Sequence, residues 1–125
     1  LSPLCTATGK VFLAYYGKEE RDNVISSNEF VKYTDSTILT EGEYRKALEE
    51  VEQVGYAIDN QEKDLGVVCG AGPIFNYNND VVASISISGP SIRLTADAVK
   101  DFYVNHVVEC CKKVSTAIGY SGYSD

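Results

Sequence analysis

The sequence predicts an α+β domain in which an antiparallel sheet is flanked by helices. Two observations carry this prediction. Apolar residues recur at helical spacing in the first half of the chain and again after residue 95, and two short β-rich segments separated by turn-forming residues lie between these regions. The chain has 125 residues, of which 44% are hydrophobic, which suffices for one core. We therefore expect a single domain over residues 1–125.

Two short helices are expected at the start of the chain. Thr6 suits the N-cap position, because its hydroxyl can accept a hydrogen bond from a free amide of the first turn. The first helix would then cover residues 7–16 and stop at Gly17. A second short helix is expected over residues 19–26.

A longer helix is expected over residues 41–54. Thr40 and Glu43 have the spacing of a capping box, in which each side chain binds a free amide. Gly55 stands where a left-handed C-cap belongs. The residues that recur at helical spacing and predict the buried face are Tyr44, Leu48, Val51 and Val54.

A strand region begins at residues 56–59, and a hairpin follows. Segment 67–75 is rich in β-formers, and the turn residues at 76–80 would connect it to a strand over 81–88, which Gly89 and Pro90 would break. Because side chains alternate along a strand, the last strand should have one apolar face and one hydroxyl-bearing face. The apolar face would hold Val81, Ala83, Ile85 and Ile87, and the other Val82, Ser84, Ser86 and Ser88.

The last predicted element is a helix that Thr95 caps and Gly119 ends. Its expected apolar stripe consists of Val99, Phe102, His106, Cys110, Val114 and Ile118. His106 and Cys110 lie four residues apart and could share a metal ion, but two further ligands are not evident, so packing in the core is favoured. We expect no metal and no cofactor.

Composition excludes several functional classes. The net charge of −7 disfavours direct binding to the phosphate backbone of nucleic acids. Apolar stretches are much shorter than the roughly 20 residues that cross a bilayer, so no membrane association is expected. The four cysteines are dispersed or adjacent on a helix, which favours reduced thiols and a cytoplasmic protein.

Several segments, in order along the chain, resemble the effector-binding domain of IclR-type bacterial transcription regulators. They are residues 5–10, 55–62, 66–69 and 85–90, with weaker similarity at 34–37 and 118–120. The chain departs from the family pattern at Leu4, Glu52 and Gly72. The resemblance implies a GAF-like (profilin-like) antiparallel sheet. It also implies that a winged helix-turn-helix, a linker helix and the first strands of the domain would precede Leu1, which leaves an open sheet edge.

The resemblance further implies one pocket for a small carboxylate. Its lining would be Ala7, Thr8, Asp59, Val67, Cys69, Ser86 and Ser88. Free amides at the start of the first helix can hold an anion without a cationic side chain, and the serine hydroxyls can donate to further ligand oxygens. Asp59 conflicts with an anionic ligand unless it is protonated or paired with a donor such as an adjacent amide or a ligand hydroxyl. A keto, hydroxy or aromatic acid would fit this arrangement.

The expected function is effector sensing without catalytic residues. The ligand would modulate DNA binding by the intact regulator, which would contact DNA only through the helix-turn-helix and form a homodimer or homotetramer. Two alternatives stay open: a small cytoplasmic enzyme that uses Cys69 or Asp59 on a carboxylate substrate, and an oligomerisation module with a vestigial pocket.

Overall fold

A computed structural model describes residues 3–123 and contains the predicted order of elements. A short 3-10 helix at Pro3–Cys5 comes first, and a π-helical turn at Val99–Tyr103 separates the last two α-helices. The α-helices and strands are α1 (Ala7–Tyr15), α2 (Lys18–Ser27), α3 (Glu41–Val54), β1 (Ala57–Asn60), β2 (Val67–Phe75), β3 (Val81–Pro90), α4 (Ala96–Ala98) and α5 (Val104–Ala117). The prediction of an α+β fold with an antiparallel sheet is confirmed.

The helix ends follow the capping chemistry of the sequence. The Thr6 hydroxyl accepts a hydrogen bond from the amide of Gly9 at 3.0 Å, and the Thr40 hydroxyl accepts one from Glu43 at 3.3 Å. Gly55 ends α3 with a φ of 84°, in the left-handed region that glycine adopts without strain. The caps predicted at Thr6, Thr40 and Gly55 are therefore confirmed, and the reciprocal bond of the Glu43 side chain in the capping box stays a prediction.

The sheet has the order β1-β2-β3, and both pairings are antiparallel. Helices α1, α2 and α3 form the main core on one face of the sheet, where Ala71 of β2 is buried among them. The other face packs against the C-terminal helices, where Val107 and Cys111 contact Ile74 of β2. The three strands thus lie between two helical layers.

Two glycines of β2 allow the C-terminal helices to approach the sheet closely. A Cβ atom at Gly70 would lie 2.7 Å from Val99 Cγ1, and one at Gly72 would lie 2.9 Å from Cys111 Sγ. Both distances are shorter than carbon and sulphur atoms tolerate without movement. The Gly-Ala-Gly segment therefore serves packing on the face opposite α1.

The regular alternation of side chains predicted for residues 81–88 was wrong at the start of the strand. The pairing shifts between Ile74 and Phe75, so that Ile74 pairs with Ala83 whereas Phe75 pairs with Val81. This bulge turns Val81 to the α1 side, although Ala83 packs on the α5 side. The break expected after residue 88 was also wrong, because β3 continues through Pro90, which pairs with Val67 at the end of the sheet.

The predicted apolar stripe of the last helix was wrong in register beyond Val99, which is buried as predicted. In the π-helical turn the amide of Val104 bonds to the carbonyl of Val99, five residues back, which adds one residue to that turn. An extra residue rotates the following helix by about 100°. The buried residues of α5 are Val104, Val107, Cys111 and Ser115. Phe102 is 60% exposed, and His106, Cys110, Val114 and Ile118 are exposed as well.

The prediction that Val54 is buried was also wrong, since Val54 is 53% exposed at the end of α3, whereas Tyr44, Leu48 and Val51 are buried as predicted.

None of the helices within residues 3–123 combines the length and apolar character needed to span a bilayer. Within the described residues, none of the four cysteines forms a disulfide.

Candidate functional site

A cavity of about 160 Å³ lies between the start of α1 and the sheet. Its lining includes every residue of the predicted pocket: Ala7, Thr8, Asp59, Val67, Cys69, Ser86 and Ser88. Thr6, Lys63 and Asp64 complete the wall. The structure therefore brings the predicted residues together, and their binding of a ligand stays a prediction.

The floor of the cavity is a row of three side chains across the sheet. Asp59 of β1 pairs with Cys69 of β2, which in turn pairs with Ser88 of β3. Residues directly opposite in antiparallel strands project to the same face, so the carboxyl, thiol and hydroxyl groups are neighbours. Ser86 pairs with Ala71 one step along the same face, and both serines are exposed to the cavity mouth.

The roof of the cavity is the first turn of α1. The first amides of a helix have no partner within the helix, and the helix dipole gives them partial positive charge. The Thr6 hydroxyl accepts a hydrogen bond from the amide of Gly9, and the amides of Ala7 and Thr8 precede Gly9 in the same turn. This wall can bind an anionic oxygen atom through backbone groups.

Asp59 is 6% exposed, and it has the adjacent donor that its position beside an anion requires. Its Oδ1 accepts a hydrogen bond from the amide of Glu62 at 2.8 Å. Burial raises the pKa of Asp59, whereas this hydrogen bond and the charge of Lys10 act in the opposite direction. The raised pKa makes Asp59 easier to protonate, which reduces its repulsion of an anionic ligand.

A buried ion pair lies behind Asp59. Lys10 Nζ donates to Glu62 Oε2 at 2.6 Å and to the carbonyl of Ile58 at 3.0 Å, and the Lys10 and Glu62 side chains are 6% and 8% exposed. Burial raises the pKa of Glu62, and Lys10 opposes this shift. Because Lys10 belongs to α1 and Glu62 follows β1, the pair connects the roof of the cavity with the strand that carries Asp59.

The pKa of Cys69 is shifted in the direction opposite to that of a catalytic thiol. Burial and the neighbouring Asp59 raise the pKa of Cys69, and a hydrogen bond with Ser88 acts in the opposite direction only as a smaller contribution. A nucleophilic cysteine requires a lowered pKa. The thiol is therefore better suited to contact a ligand than to attack one.

Sequence reasoning missed Lys63 and Asp64, which lie on the loop between β1 and β2. The hydroxyls of Thr34 and Thr37 hold this loop by donating to the carbonyls of Gln61 and Glu62. The available signal was position, since both residues follow a segment with family resemblance. A short connection between paired strands also places its side chains beside the ends of those strands.

Two larger surface clefts share no lining residue with the cavity beneath α1. A groove of about 400 Å³ between α3 and β1 is lined by Lys10, Tyr56 and Lys100 among others, and a cleft of about 700 Å³ lies beside Lys112 and Tyr123. Within residues 3–123, no group of three or more histidine, cysteine or acidic side chains is arranged to hold a metal ion. The small cavity is the one that combines convergent polar groups with the predicted lining.

Comparison with known proteins gives consistent relatives. The sequence profile of the family described as bacterial transcriptional regulator IclR, C-terminal, matches residues 1–116. The regulator KdgR of Dickeya chrysanthemi is 38% identical over 118 residues, which cover 94% of this chain and 38% of that protein. The repressor IclR of Escherichia coli is 32% identical over 114 residues, with 91% and 41% covered. The chain thus spans about two fifths of the length of these relatives.

Solved structures of similar proteins share the fold. The C-terminal domain of Escherichia coli KdgR has a TM-score of 0.84 and 31% identity, with 94% of this chain and 71% of that chain covered. The Thermotoga maritima IclR structure has a TM-score of 0.83 and 30% identity, covering 94% and 47%. The inducer-binding domain of a PobR double mutant from Acinetobacter, in complex with 3-hydroxybenzoic acid, has a TM-score of 0.85 at 23% identity, covering 92% and 66%.

Proposed function

The chain belongs to the IclR family of bacterial transcription regulators, as their C-terminal effector-binding domain, and we propose that its cavity beneath α1 binds a small carboxylate effector. The observation that carries this proposal is the convergence of the first amides of α1, two serine hydroxyls and the carboxyl group of Asp59 on one cavity. Each group type is a recognised partner of a carboxylate or hydroxyl oxygen.

The dimensions of the cavity support a small ligand. A volume of about 160 Å³ corresponds to roughly five water molecules at about 30 Å³ each. Keto, hydroxy and small aromatic acids are therefore the proposed class. The Acinetobacter PobR domain is similar in fold and was solved with 3-hydroxybenzoic acid, which makes a hydroxy aromatic acid one candidate to test.

We propose that effector binding modulates DNA binding by a longer regulator. The ligand would favour one of two arrangements of a homodimer or homotetramer in the cytoplasm, and the helix-turn-helix of the longer protein would contact the DNA. The net charge of −7 supports a domain that does not itself bind the phosphate backbone. Salt-sensitive retardation of an operator fragment by the purified chain would contradict this assignment.

Calorimetric titration with pyruvate, lactate and 3-hydroxybenzoate tests the proposed ligand class. We expect saturable binding of at least one acid with one site per chain, and no conversion of the acid during the titration. Turnover would instead identify the enzyme alternative, which would have to use Cys69 or Asp59. Absence of binding for all three acids would favour an oligomerisation module and contradict the proposal.

A further inference from the structure

Lys63 is the one cationic side chain in the lining of the cavity within residues 3–123. Its side chain is 25% exposed, and the nearest acidic atom, Oδ2 of Asp64, lies 3.9 Å from Nζ. The ring centroid of Tyr33 is 6.0 Å from Nζ. Neither distance is that of a hydrogen bond. The ammonium group has three N–H donors, and within the described part of the chain none of them has a hydrogen-bond acceptor.

A positive charge in the cavity wall would favour an anionic ligand. Asp59 and Asp64 both line the cavity, so an entering carboxylate meets two acidic groups. The helix amides of Ala7 and Thr8 supply partial charge only. The full charge of Lys63 is partly shielded from solvent and has only a 3.9 Å ion pair with Asp64, so it opposes the acidic groups and remains available to a ligand.

The backbone around Lys63 is held by hydrogen bonds, whereas its ammonium group has only the 3.9 Å contact with Asp64 and the more distant Tyr33 ring. Thr37 binds the carbonyl of Glu62 at 2.5 Å, directly before Lys63, and Gly66 donates its amide to the side chain of Gln61 at 3.0 Å. Such a loop presents the ammonium group without having to be ordered when a ligand arrives.

From this geometry we propose that Lys63 is the specificity-determining residue of the cavity, whose ammonium group pairs with the ligand carboxylate and selects acids over their neutral analogues. The inference rests on the proposed function. The inference adds one binding residue and a preference for acids to the proposed function. Binding through helix amides and serines alone would discriminate less between an acid and an amide of the same shape.

The test uses three matched pairs of probes: pyruvate and pyruvamide, lactate and lactamide, and 3-hydroxybenzoate and 3-hydroxybenzamide. Calorimetry would measure the ratio of acid to amide affinity for the wild type, Lys63→Gln and Lys63→Arg. We expect Lys63→Gln to lower that ratio by roughly tenfold or more, as loss of a charge-assisted hydrogen bond does, and Lys63→Arg to retain most of it. Lys46→Gln, on the exposed surface of α3, is the matched control and should leave the ratio unchanged.

The outcomes separate the two proposals. If no acid binds the wild type, the proposed function fails and the inference fails with it. If an acid binds the wild type and Lys63→Gln with the same ratio to its amide, Lys63 is not a specificity residue, while the proposed function survives. If Lys46→Gln lowers the ratio as much as Lys63→Gln does, the effect belongs to net charge and the inference is wrong.

A measurement without ligand tests whether the charge of Lys63 reaches the cavity. The positive charge of Lys63 lowers the pKa of Asp59 as one of several contributions. Carbon NMR titration of the Asp59 carboxyl group should therefore give a higher pKa in Lys63→Gln than in the wild type or Lys46→Gln. An unchanged Asp59 titration in Lys63→Gln would contradict the proposed location of the ammonium group.

Discussion

Lys10 and Lys63 carry the same charge and lie close to the same residue, Glu62, but their surroundings differ. Lys10 is buried, with one hydrogen bond to Glu62 and one to the carbonyl of Ile58. Lys63 is the next residue after Glu62, and its closest acidic atom is 3.9 Å away on Asp64. The inner cation Lys10, behind the cavity, therefore has two hydrogen-bond acceptors, whereas the wall cation Lys63 has none within residues 3–123.

The two lysines are therefore expected to have different roles, Lys10 in the stability of the fold and Lys63 in ligand recognition. A buried charge that loses its partner is costly, so the inner pair of Lys10 and Glu62 should control folding. A partly exposed charge with a loose partner contributes little to folding, so Lys63 should affect only what enters the cavity. The following variants test this division.

The largest effect is expected for Lys10→Met. Removal of the ammonium group leaves Glu62 buried, where its Oε1 already has no hydrogen-bond partner. We expect a loss of about 3–5 kcal/mol in the free energy of unfolding, measured by urea denaturation. The double variant Lys10→Met/Glu62→Leu should recover much of that loss. If Lys10→Met unfolds with wild-type stability, the inner pair does not stabilise the fold and the comparison collapses.

Asp59→Asn should change the pH dependence of stability. The pKa of Asp59 is raised in the folded chain above its ordinary 3.8, so the folded state holds a proton that the unfolded state has released. Wild-type stability should therefore fall as the pH rises from about 4 through the folded pKa, with a slope of at most about 1.4 kcal/mol per pH unit for one group. Asparagine removes this contribution, and urea denaturation from about pH 4 to pH 7.5 should give a shallower profile. Parallel profiles would contradict the assignment.

Asp59→Asn should also flatten the pH dependence of acid binding. The wild-type carboxyl group repels an anionic ligand less as it becomes protonated, so affinity should rise as the pH falls towards the pKa of Asp59. The amide has no such change. Calorimetry with lactate at several pH values measures both profiles, and an Asp59→Asn profile as steep as that of the wild type would place Asp59 outside the site.

Ser86→Ala and Ser88→Ala should each weaken acid binding by about 0.5–1.5 kcal/mol and spare the fold, because each removes one hydroxyl donor from the cavity. Ser84→Ala is the control: Ser84 lies on the same strand face, but its hydroxyl donates to the carbonyl of Gly72 at 2.9 Å. Calorimetry on folded protein separates any loss of stability from loss of binding. Equal weakening by Ser84→Ala would show that the assigned cavity is wrong.

The smallest effect on stability is expected for Lys63→Gln. The loose contact with Asp64 should contribute no more than about 0.5 kcal/mol to folding. Urea denaturation alongside Lys10→Met makes the comparison direct. A loss above about 1 kcal/mol would mean that Lys63 stabilises the loop. The division of roles between Lys10 and Lys63 would then need revision.

Local chemistry explains which parts of the fold the sequence could predict. The caps at Thr6, Thr40 and Gly55 depend on neighbours within four residues, so the sequence alone could predict them. The register of α5 could not be predicted, because it follows a π-helical turn in which Val99 packs against Gly70, a distant part of the chain. The bulge at Val81 likewise depends on pairing with a partner strand.

The same distinction applies to the candidate site. The resemblance to a family indicated the seven lining residues, and the structure places them around one cavity. Lys63 lies just beyond the family segment at 55–62, and its proposed role depends on a loop held by Thr34 and Thr37 from a distant part of the chain. Long-range contacts of this kind have no signature in local sequence patterns.

The π-helical turn at Val99–Tyr103 sets which side of α5 faces the sheet. If the same residues wound as a regular α-helix, everything after them would rotate by about 100°. Phe102, His106 and Val114, now exposed, would move toward the sheet, and Val107 and Cys111 would move away from it. Deleting a single residue from this turn would instead place Val104 four residues after Val99, which is α-helical spacing, and would keep the present buried face. A relative that is one residue shorter here can therefore bury the same side of its last helix without a π-helical turn.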